Sequence, residues 1–219
     1  MTVPTSPATP PVPTPPATPA PSALRPDLAL VASLIADGDR VLDLGCGSGD
    51  LLAHLKSARA CDVTGVEIDP DSVVAAIRRG VPVLEVDIDR GLRPFGDGSY
   101  DVVVLSRTLQ TIRRPREVLC EMARIGGRLI VSVPNFGWWG HRLRLLRGRM
   151  PMSRELPYSW FDSPNLRFTT LKDLQLLFDA VGLRVERRIP MTIHGEPLRV
   201  WDAAANLLSG AAVYVLRGR

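Results

Sequence analysis

The sequence predicts an α/β fold with a doubly wound, mostly parallel sheet, and three observations lead to this fold class. From residue 24 onward, apolar extended runs alternate with segments of helical periodicity, as in βαβ units. The segment YDVVVLS at 100–106 holds a continuous β-branched run, typical of a strand buried on both faces of a parallel sheet. Glycines cluster at 45–49, between the first predicted strand and the next helix, where open α/β sheets bind nucleotides.

The predicted elements follow one another closely along the chain. The first helix is predicted from the helical spacing of Leu28, Val31 and Ile35, and later helices from similar spacing at 51–55, 73–77 and 115–125. The predicted strands lie at 40–45, 61–69, 81–87, 100–106, 127–134 and 211–218. Because strands alternate with helices, right-handed crossovers are expected, within one domain over 24–219.

Composition narrows the possible classes of protein. With 219 residues, 45% hydrophobic and 23% charged, the chain resembles an ordinary globular domain. Half of its 20 prolines lie in the first 26 residues, so residues 1–23 are expected to form a disordered, partly polyproline-II tail. No secretory signal and no apolar run long enough for a membrane span is expected. The three scattered cysteines indicate neither a disulfide framework nor a metal site, which favours the cytoplasm.

The densest basic run is HRLRLLRGR at 141–149. Such a run suits a phosphate group or an acidic partner. The alternative, which we favour, is the solvated face of a short helix whose Leu143 and Leu146 point inward. No aromatic and basic module of a nucleic-acid-binding fold accompanies the run, so nucleic acid is not an expected partner.

The spacing of the glycines discriminates between nucleotide-binding loops. In VLDLGCGSGD (41–50) they form G-x-G-x-G, whereas a dinucleotide fingerprint has its third glycine where this chain has Asp50. A P-loop is excluded because no G-K-[ST] follows. An acid at the helix start disfavours a pyrophosphate and tolerates a cationic or zwitterionic ligand. Gly45, Gly47 and Gly49 are expected to let the turn pass closely beneath that ligand.

Acidic residues end three consecutive predicted strands, at Asp43, Glu67 and Asp87. A carboxylate at the position of Glu67 can accept hydrogen bonds from both hydroxyls of a ribose, and Asp87 is placed to receive an adenine amino group. The alternative is that these acids are ordinary loop and turn residues. Their joint occurrence favours a nucleoside site.

The segments DLGCGSG, GVEID and VLEVD together resemble the class I S-adenosylmethionine-dependent methyltransferases, over about residues 24–217. The resemblance implies a Rossmann-like, seven-stranded sheet with an antiparallel C-terminal strand at 211–218, and S-adenosylmethionine as the cofactor. It assigns the methionine moiety to the glycine loop, the ribose to Glu67 and the adenine to Asp87. The residues that it places around the cofactor are Asp43, Gly45, Cys46, Gly47, Gly49, Glu67, Ile68, Asp87, Ile88 and Ser106.

The second half of the chain narrows the resemblance. The strings VSVPNFGWWGHRLRL and GRMPMSRELPYSWFDSPN are similar to the methionine biosynthesis protein W family. That family implies a role in methionine biosynthesis beside a homoserine O-acyltransferase, with S-adenosylmethionine as ligand. Arg107 departs from the family, in which glutamine is expected, and is predicted at the rim of the cofactor pocket.

Half of the chain's aromatic residues lie within 136–161, in a predicted aromatic cap or insertion at 134–168. Three roles remain open for it: a small-molecule pocket, a docking surface for a partner, or a cap packed over the sheet as core. His141 is expected on the surface rather than as a base. The candidate substrate or partner residues are Asn135, Trp139, His141, Tyr158, Trp160 and Asp162.

Two classes of function follow from the sequence. Methyl transfer from a sulfonium is an in-line displacement that needs alignment more than a base, so no catalytic residue is predicted. The amine-methylating motif [DN]-P-P-[YF] is missing after the fourth strand, where the chain reads LSRTLQ. The chain is expected either to support a homoserine O-acyltransferase as an accessory subunit or to methylate a small molecule.

Overall fold

A seven-stranded sheet forms the centre of the computed structural model, which describes residues 24–218. The strands are β1 (Arg40–Leu44), β2 (Asp62–Glu67), β3 (Val83–Glu85), β4 (Tyr100–Ser106), β5 (Gly126–Pro134), β6 (Leu183–Met191) and β7 (Ala211–Gly218). The helices are α1 (Pro26–Ser33), α2 (Asp50–Arg59), α3 (Pro70–Arg78), α4 (Pro115–Ile125), α5 (Trp139–Leu146), α6 (Leu171–Ala180) and α7 (Asp202–Leu208). Within 24–218, no helix is long and apolar enough to cross a membrane. The predicted tail at 1–23 lies outside the described residues.

The strands lie in the order β3-β2-β1-β4-β5-β7-β6. Pairing is parallel from β3 through β5, whereas β7 runs antiparallel to both β5 and β6. This confirms the predicted α/β class, the mostly parallel seven-stranded sheet and the antiparallel C-terminal strand. Because the chain leaves β1 toward β2 and later returns to β4 on the other side, β1 and β4 flank a topological switch point, where such sheets bind ligands.

Each face of the sheet has its own hydrophobic core. Helices α1 and α2 contribute to one core, and α4 and α6 contribute to the other. Within β4, Val102 and Val104 belong to the first core, and Val103 and Leu105 belong to the second. All four side chains are buried. Strand β4 is therefore buried on both faces, as its β-branched run predicts.

The elements with the clearest sequence patterns have the predicted bounds, as β4, α4 and β7 show. The third strand is shorter than the predicted 81–87, since Asp87 instead caps a 3-10 turn by accepting the Asp89 N–H at 3.0 Å. The sequence does not predict β6. Its residues, LRVERRIPM, mix charged and apolar side chains as an edge strand does, so no continuous apolar run marks it.

Helix α5 is oriented differently from the prediction. Leu143 and Leu146 are exposed, so they do not point inward. His141 is the buried residue of this helix, and its ring lies 5.8 Å from that of Phe136 and 5.2 Å from that of Trp138. The expectation of a surface His141 is therefore wrong. An aromatic cluster anchors the helix and leaves its leucines facing outward.

Residues 147–170, between α5 and α6, contain no helix or strand. Backbone hydrogen bonds nevertheless hold this segment in place. The N–H groups of Leu166 and Arg167 donate to Gln110 O at 2.9 and 3.1 Å, and the Phe136 N–H donates to Thr169 O at 2.9 Å. The segment is thus fastened to the turn that follows β4 and to the end of β5.

Candidate functional site

The loop between β1 and α2 holds three glycines in left-handed backbone conformations. The φ angles of Gly45, Gly47 and Gly49 are +74°, +54° and +76°, in a region that residues with side chains rarely adopt. Gly49 caps α2, so the helix begins at Asp50, as expected. The Gly45 N–H donates to Val66 O at 2.7 Å, which ties the loop to β2.

The space around these glycines differs from the expectation that all three make room for a ligand. A Cβ atom on Gly45 would lie 2.7 Å from Thr108 Oγ1, and one on Gly49 would lie 3.0 Å from Ala76 Cβ. These two glycines therefore allow the loop to pack closely against other parts of the same chain. A Cβ on Gly47 would meet no atom of the described residues within 4 Å. Gly47 is thus the position of the three that faces open space.

Glu67, at the end of β2, holds the glycine loop from the opposite side. Its Oε2 accepts the Gly47 N–H at 2.8 Å, and its Oε1 accepts the N–H groups of Ile68 and Asp69 at 2.8 and 3.1 Å. A carboxylate offers about four acceptor positions. One position on Oε2 therefore remains available to a ligand hydroxyl, on a side chain that is already fixed in orientation.

Asp43 lies in β1, two residues before the loop. It is 3% exposed, and within residues 24–218 its Oδ1 has no hydrogen-bond partner. Burial raises the pKa of Asp43 to about 7, and the negative charge of Glu67 contributes to the rise. Burial likewise raises the pKa of the neighbouring Cys46 thiol to about 12. A buried carboxylate oxygen without a partner is costly, which makes Asp43 a candidate to meet a cationic ligand.

A cleft of about 590 Å³ opens at the carboxyl ends of the central strands. This volume is typical of small-molecule and cofactor sites. Of the predicted cofactor residues, the cleft brings together Gly45, Glu67, Ile68, Asp87 and Ile88. The lining residues that sequence reasoning did not assign to the cofactor are Val86, Asp89, Arg90, Arg107, Thr108, Thr111, Ile112 and Arg113. Asp43, Cys46, Gly47 and Gly49 belong to the adjoining strand and loop.

Asp87 takes part in the wall of the cleft, but its carboxylate already has protein partners. It caps the 3-10 turn through the Asp89 N–H, and its Oδ2 lies 3.3 Å from Arg90 Nε. The side chain of Arg90 is 86% exposed, so this ion pair is easily exchanged for another partner. Asp87 therefore lines the cleft with one of its partners readily displaced, and its contact with an adenine stays a prediction.

Ser106 does not line the cleft as expected. Its hydroxyl lies 3.2 Å from that of Ser132 on the neighbouring strand β5, so it serves contact between strands. The two residues that follow it, Arg107 and Thr108, form the wall at the end of β4 instead. A contact of Ser106 with the cofactor stays a prediction.

Arg107 connects three parts of the chain at the rim of the cleft. Its Nε lies 2.9 Å from Asp27 Oδ2 in α1, and its Nη2 lies 2.7 Å from Glu155 Oε2 in the segment between α5 and α6. Both carboxyl groups are buried, and burial raises the pKa of Glu155. The more exposed Arg25 lies 3.3 Å from Asp27. The sequence drew attention to Arg107 as a departure from the family, but nothing in it pointed to Asp27 or Glu155.

The candidate substrate or partner residues separate into a buried and an exposed set. Asn135 and His141 are fully buried. The Asn135 amide donates to the carbonyl oxygens of Asn206 and Ser209 at 3.0 and 2.7 Å, and its Oδ1 accepts the Gly137 N–H at 2.9 Å. These two residues hold the end of β5 and α5 in place and are not accessible at the surface. The exposed set is Trp139, Tyr158, Trp160 and Asp162.

A depression of about 10 Å³ lies among the exposed aromatic residues. That volume holds about one water molecule, whereas small-molecule sites measure roughly 300–1,000 Å³. The depression is therefore too small for a methyl acceptor. Its lining residues are Phe136, Met150, Pro151, Leu156, Tyr158, Trp160, Ser163, Asn165 and Phe168.

Comparison with solved structures shows which fold the chain shares. A SAM-dependent methyltransferase from Thermotoga maritima, described as a possible histamine N-methyltransferase, matches with a TM-score of 0.62 and 20% identity over 88% of each chain. An S-adenosylmethionine-dependent methyltransferase from Mesorhizobium loti matches with a TM-score of 0.63 and 15% identity, over 88% of this chain and 97% of that one. These similarities establish the class I methyltransferase fold.

Relatives in sequence are more specific. The bifunctional methionine biosynthesis protein MetXA/MetW of Rhodopirellula baltica is 33% identical over 178 residues, which cover 76% of this chain and 28% of that protein. The ribosomal protein L11 methyltransferase of Burkholderia mallei is 35% identical over 99 residues, which cover 45% of this chain and 33% of that protein. The chain thus spans a third or less of the length of these relatives. Residues 25–216 match the model of the methionine biosynthesis protein MetW family, and the chain belongs to that family.

Proposed function

We propose that this protein binds S-adenosylmethionine in the cleft at the carboxyl ends of the central strands and acts in methionine biosynthesis as an accessory partner of a homoserine O-acyltransferase. The observation that carries the cofactor assignment is the convergence of Gly45, Glu67 and Asp87, from three separate βα connections, on one cleft. Membership in the MetW family supports the pathway.

The lining of the cleft suits the parts of this cofactor. Glu67 has a free acceptor position on Oε2 for one ribose hydroxyl, and the second hydroxyl would compete with the Gly47 N–H for the other. Ile68 and Ile88 provide apolar surface for an adenine ring. An ionised Asp43 favours a cationic methionine moiety near the loop. When bound, the cofactor supplies a methyl group activated by its sulfonium.

The partnership with an acyltransferase is supported by the relative from Rhodopirellula baltica. Its name joins MetXA and MetW in one chain, and this chain matches only 28% of it. Linking two units in one polypeptide raises their effective concentration toward each other, which is useful where the units act together. We infer that this chain associates with the acyltransferase in the cytoplasm.

A second candidate function is methyl transfer to a small molecule, which the shared methyltransferase fold favours. An acceptor would have to enter the same cleft, beside Arg107 and Thr108, because the depression among the aromatic residues is too small. No general base is needed if the acceptor atom carries a free lone pair.

The test is acyl transfer to homoserine by the purified acyltransferase of the same organism, measured alone, with this chain, and with this chain plus S-adenosylmethionine. We expect a higher rate when the chain is present, and a response to the cofactor that is lost in Glu67→Ala. Equal rates in all three mixtures would contradict the accessory role. Formation of S-adenosylhomocysteine from a metabolite extract, without the acyltransferase, would instead support the second candidate.

A further inference from the structure

The exposed residues between α5 and α6 form one continuous surface. Trp160 and Phe161 are 71% and 68% exposed, and their rings meet edge to face at 5.6 Å. Trp160 also borders the small depression together with Tyr158, Met150 and Phe168, each close to half exposed. We call Met150, Tyr158, Trp160, Phe161 and Phe168 the aromatic surface. Large apolar side chains exposed together in this way mark an interaction site.

The aromatic surface rests on a fixed support although it contains no regular secondary structure. Leu156 is buried beneath it, and the Phe168 ring packs against Phe136 at 5.1 Å. The ion pair of Glu155 with Arg107 fastens the same segment to the end of β4. A surface that is ordered before association loses less conformational freedom on binding. This arrangement therefore favours a specific protein partner.

The border of the aromatic surface is positively charged. The Arg144 Nε donates to Met150 O at 3.1 Å, which places its guanidinium at this border. The exposed Arg149 directly precedes Met150, the exposed Arg147 and Arg154 lie nearby in the sequence, and Asp162 is the exposed acid of the segment 147–162. Aromatic residues and arginine are the types enriched at the energetic centres of protein interfaces. A partner with an apolar patch surrounded by acidic residues would complement this surface.

We propose that the aromatic surface is the face on which this protein docks to its homoserine O-acyltransferase. The proposal rests on the proposed function, in which the two proteins associate. A second copy of this chain is a poorer occupant, because two arginine-rich borders would then face each other. The proposal predicts a complementary face on the acyltransferase that is apolar with an acidic border.

The test compares variants of the full chain for binding to the acyltransferase by biolayer interferometry. Trp160→Ala should weaken the Kd by about 30-fold or more, the effect of losing an interface hot spot. Its affinity for S-adenosylmethionine, measured by calorimetry, should equal that of the wild type. Trp201→Ala is the matched control, since Trp201 is 79% exposed but does not border the depression. Arg149→Glu should lower the association rate and its dependence on salt.

The outcomes separate the proposal from the function on which it rests. If the wild type binds the acyltransferase and both Trp160→Ala and Phe161→Ala bind equally well, the docking surface is refuted and the partnership stands. If the wild type does not bind at all, both are overturned. If Trp160→Ala converts a dimer of this chain to a monomer in sedimentation, the surface belongs to a second copy, and the proposal is likewise overturned.

Discussion

Two cavities of nearly equal size lie at the opposite ends of the strands. The cleft at the carboxyl ends of the strands measures about 590 Å³, and a cavity at their amino ends measures about 550 Å³. Both contain acidic and basic side chains, so neither volume nor composition tells them apart. The difference lies in Asp43, a buried acid beside the carboxyl-end cleft, whose Oδ1 has no hydrogen-bond partner within residues 24–218.

At the amino ends of the strands, a single residue, Arg40, supplies three hydrogen bonds to the carboxylate of Asp101. It accepts the Arg40 backbone N–H at 2.9 Å and two guanidinium N–H groups at 3.1 and 2.9 Å. These hydrogen bonds hold the pKa of Asp101 down to about 2. Beside the cleft at the carboxyl ends of the strands, the carboxylate of Asp43 is buried, and its Oδ1 accepts no hydrogen bond from any residue in 24–218. Burial raises the pKa of Asp43 to about 7. A buried acid that the protein leaves partly unsatisfied indicates that the carboxyl ends of the strands are built for a ligand.

The largest expected difference between the two ends of the strands is the loss of folding stability when an arginine is removed from each. Arg107→Ala leaves the buried carboxyl groups of Asp27 and Glu155 without their shared cation, and should lower the free energy of unfolding by about 3–5 kcal/mol. Arg40→Ala should have a much smaller effect, because Arg40 and Asp101 are both exposed and water replaces the lost contact. Urea unfolding of both variants checks this. Equal losses of unfolding free energy would show that the ion pairs of Arg107 with Asp27 and Glu155 are not effectively buried.

Arg107→Gly refines the same measurement. The φ angle of Arg107 is +54°, where glycine is favoured over alanine by about 1 kcal/mol or more. The glycine variant should therefore unfold at higher urea concentration than the alanine variant while both lack the ion pairs. A glycine variant no more stable than the alanine variant would mean that the backbone relaxes once the side chain is removed.

The next largest effect is on cofactor binding. Glu67→Ala removes the acceptor for a ribose hydroxyl and frees the Gly47 N–H, so it should weaken S-adenosylmethionine binding by about 1.5–3 kcal/mol in calorimetry. Asp101→Ala removes an acid from the cavity at the amino ends of the strands and should leave the affinity for S-adenosylmethionine unchanged. If both variants lost affinity equally, the cofactor would not be bound in the cleft at the carboxyl ends of the strands.

The parts of this fold that follow from local sequence were predicted well. Strand β4 and helix α4 have patterns that any buried parallel strand and amphipathic helix must show, and the glycine loop is set by backbone conformations that only glycine adopts easily. The position of Glu67 follows because it ends a strand. Strand β6 lies at an edge of the sheet, where burial no longer imposes a pattern.

Most of what the sequence missed concerns residues whose role depends on contacts far away in the chain, whereas His141 is buried by aromatic residues close to it in sequence. Asp27, Arg107 and Glu155 meet although they are separated by long stretches of sequence, and no local pattern relates them. His141 is buried because Phe136 and Trp138 close over it, whereas the leucines of its helix suggested another inward face. Tertiary packing overrode the helical pattern at this position.

The smallest expected effect is a pH dependence that distinguishes Asp43 from Asp101. Because the pKa of Asp43 is about 7 and its ordinary value is 3.8, its contribution to folding stability is present below about pH 4 and is lost as the pH rises through 7. A cationic ligand reverses this preference by favouring the ionised form. The affinity for S-adenosylmethionine should therefore rise about tenfold between pH 6 and pH 8, with proton release on binding at pH 6. Calorimetry in two buffers of different ionisation enthalpy measures both quantities.

In Asp43→Asn the affinity should not change with pH, whereas Asp101→Asn should retain the full dependence, because a group with a pKa of about 2 does not titrate in this range. A pH-independent affinity in the wild type would show that Asp43 does not respond to the ligand, and that its burial serves the fold alone.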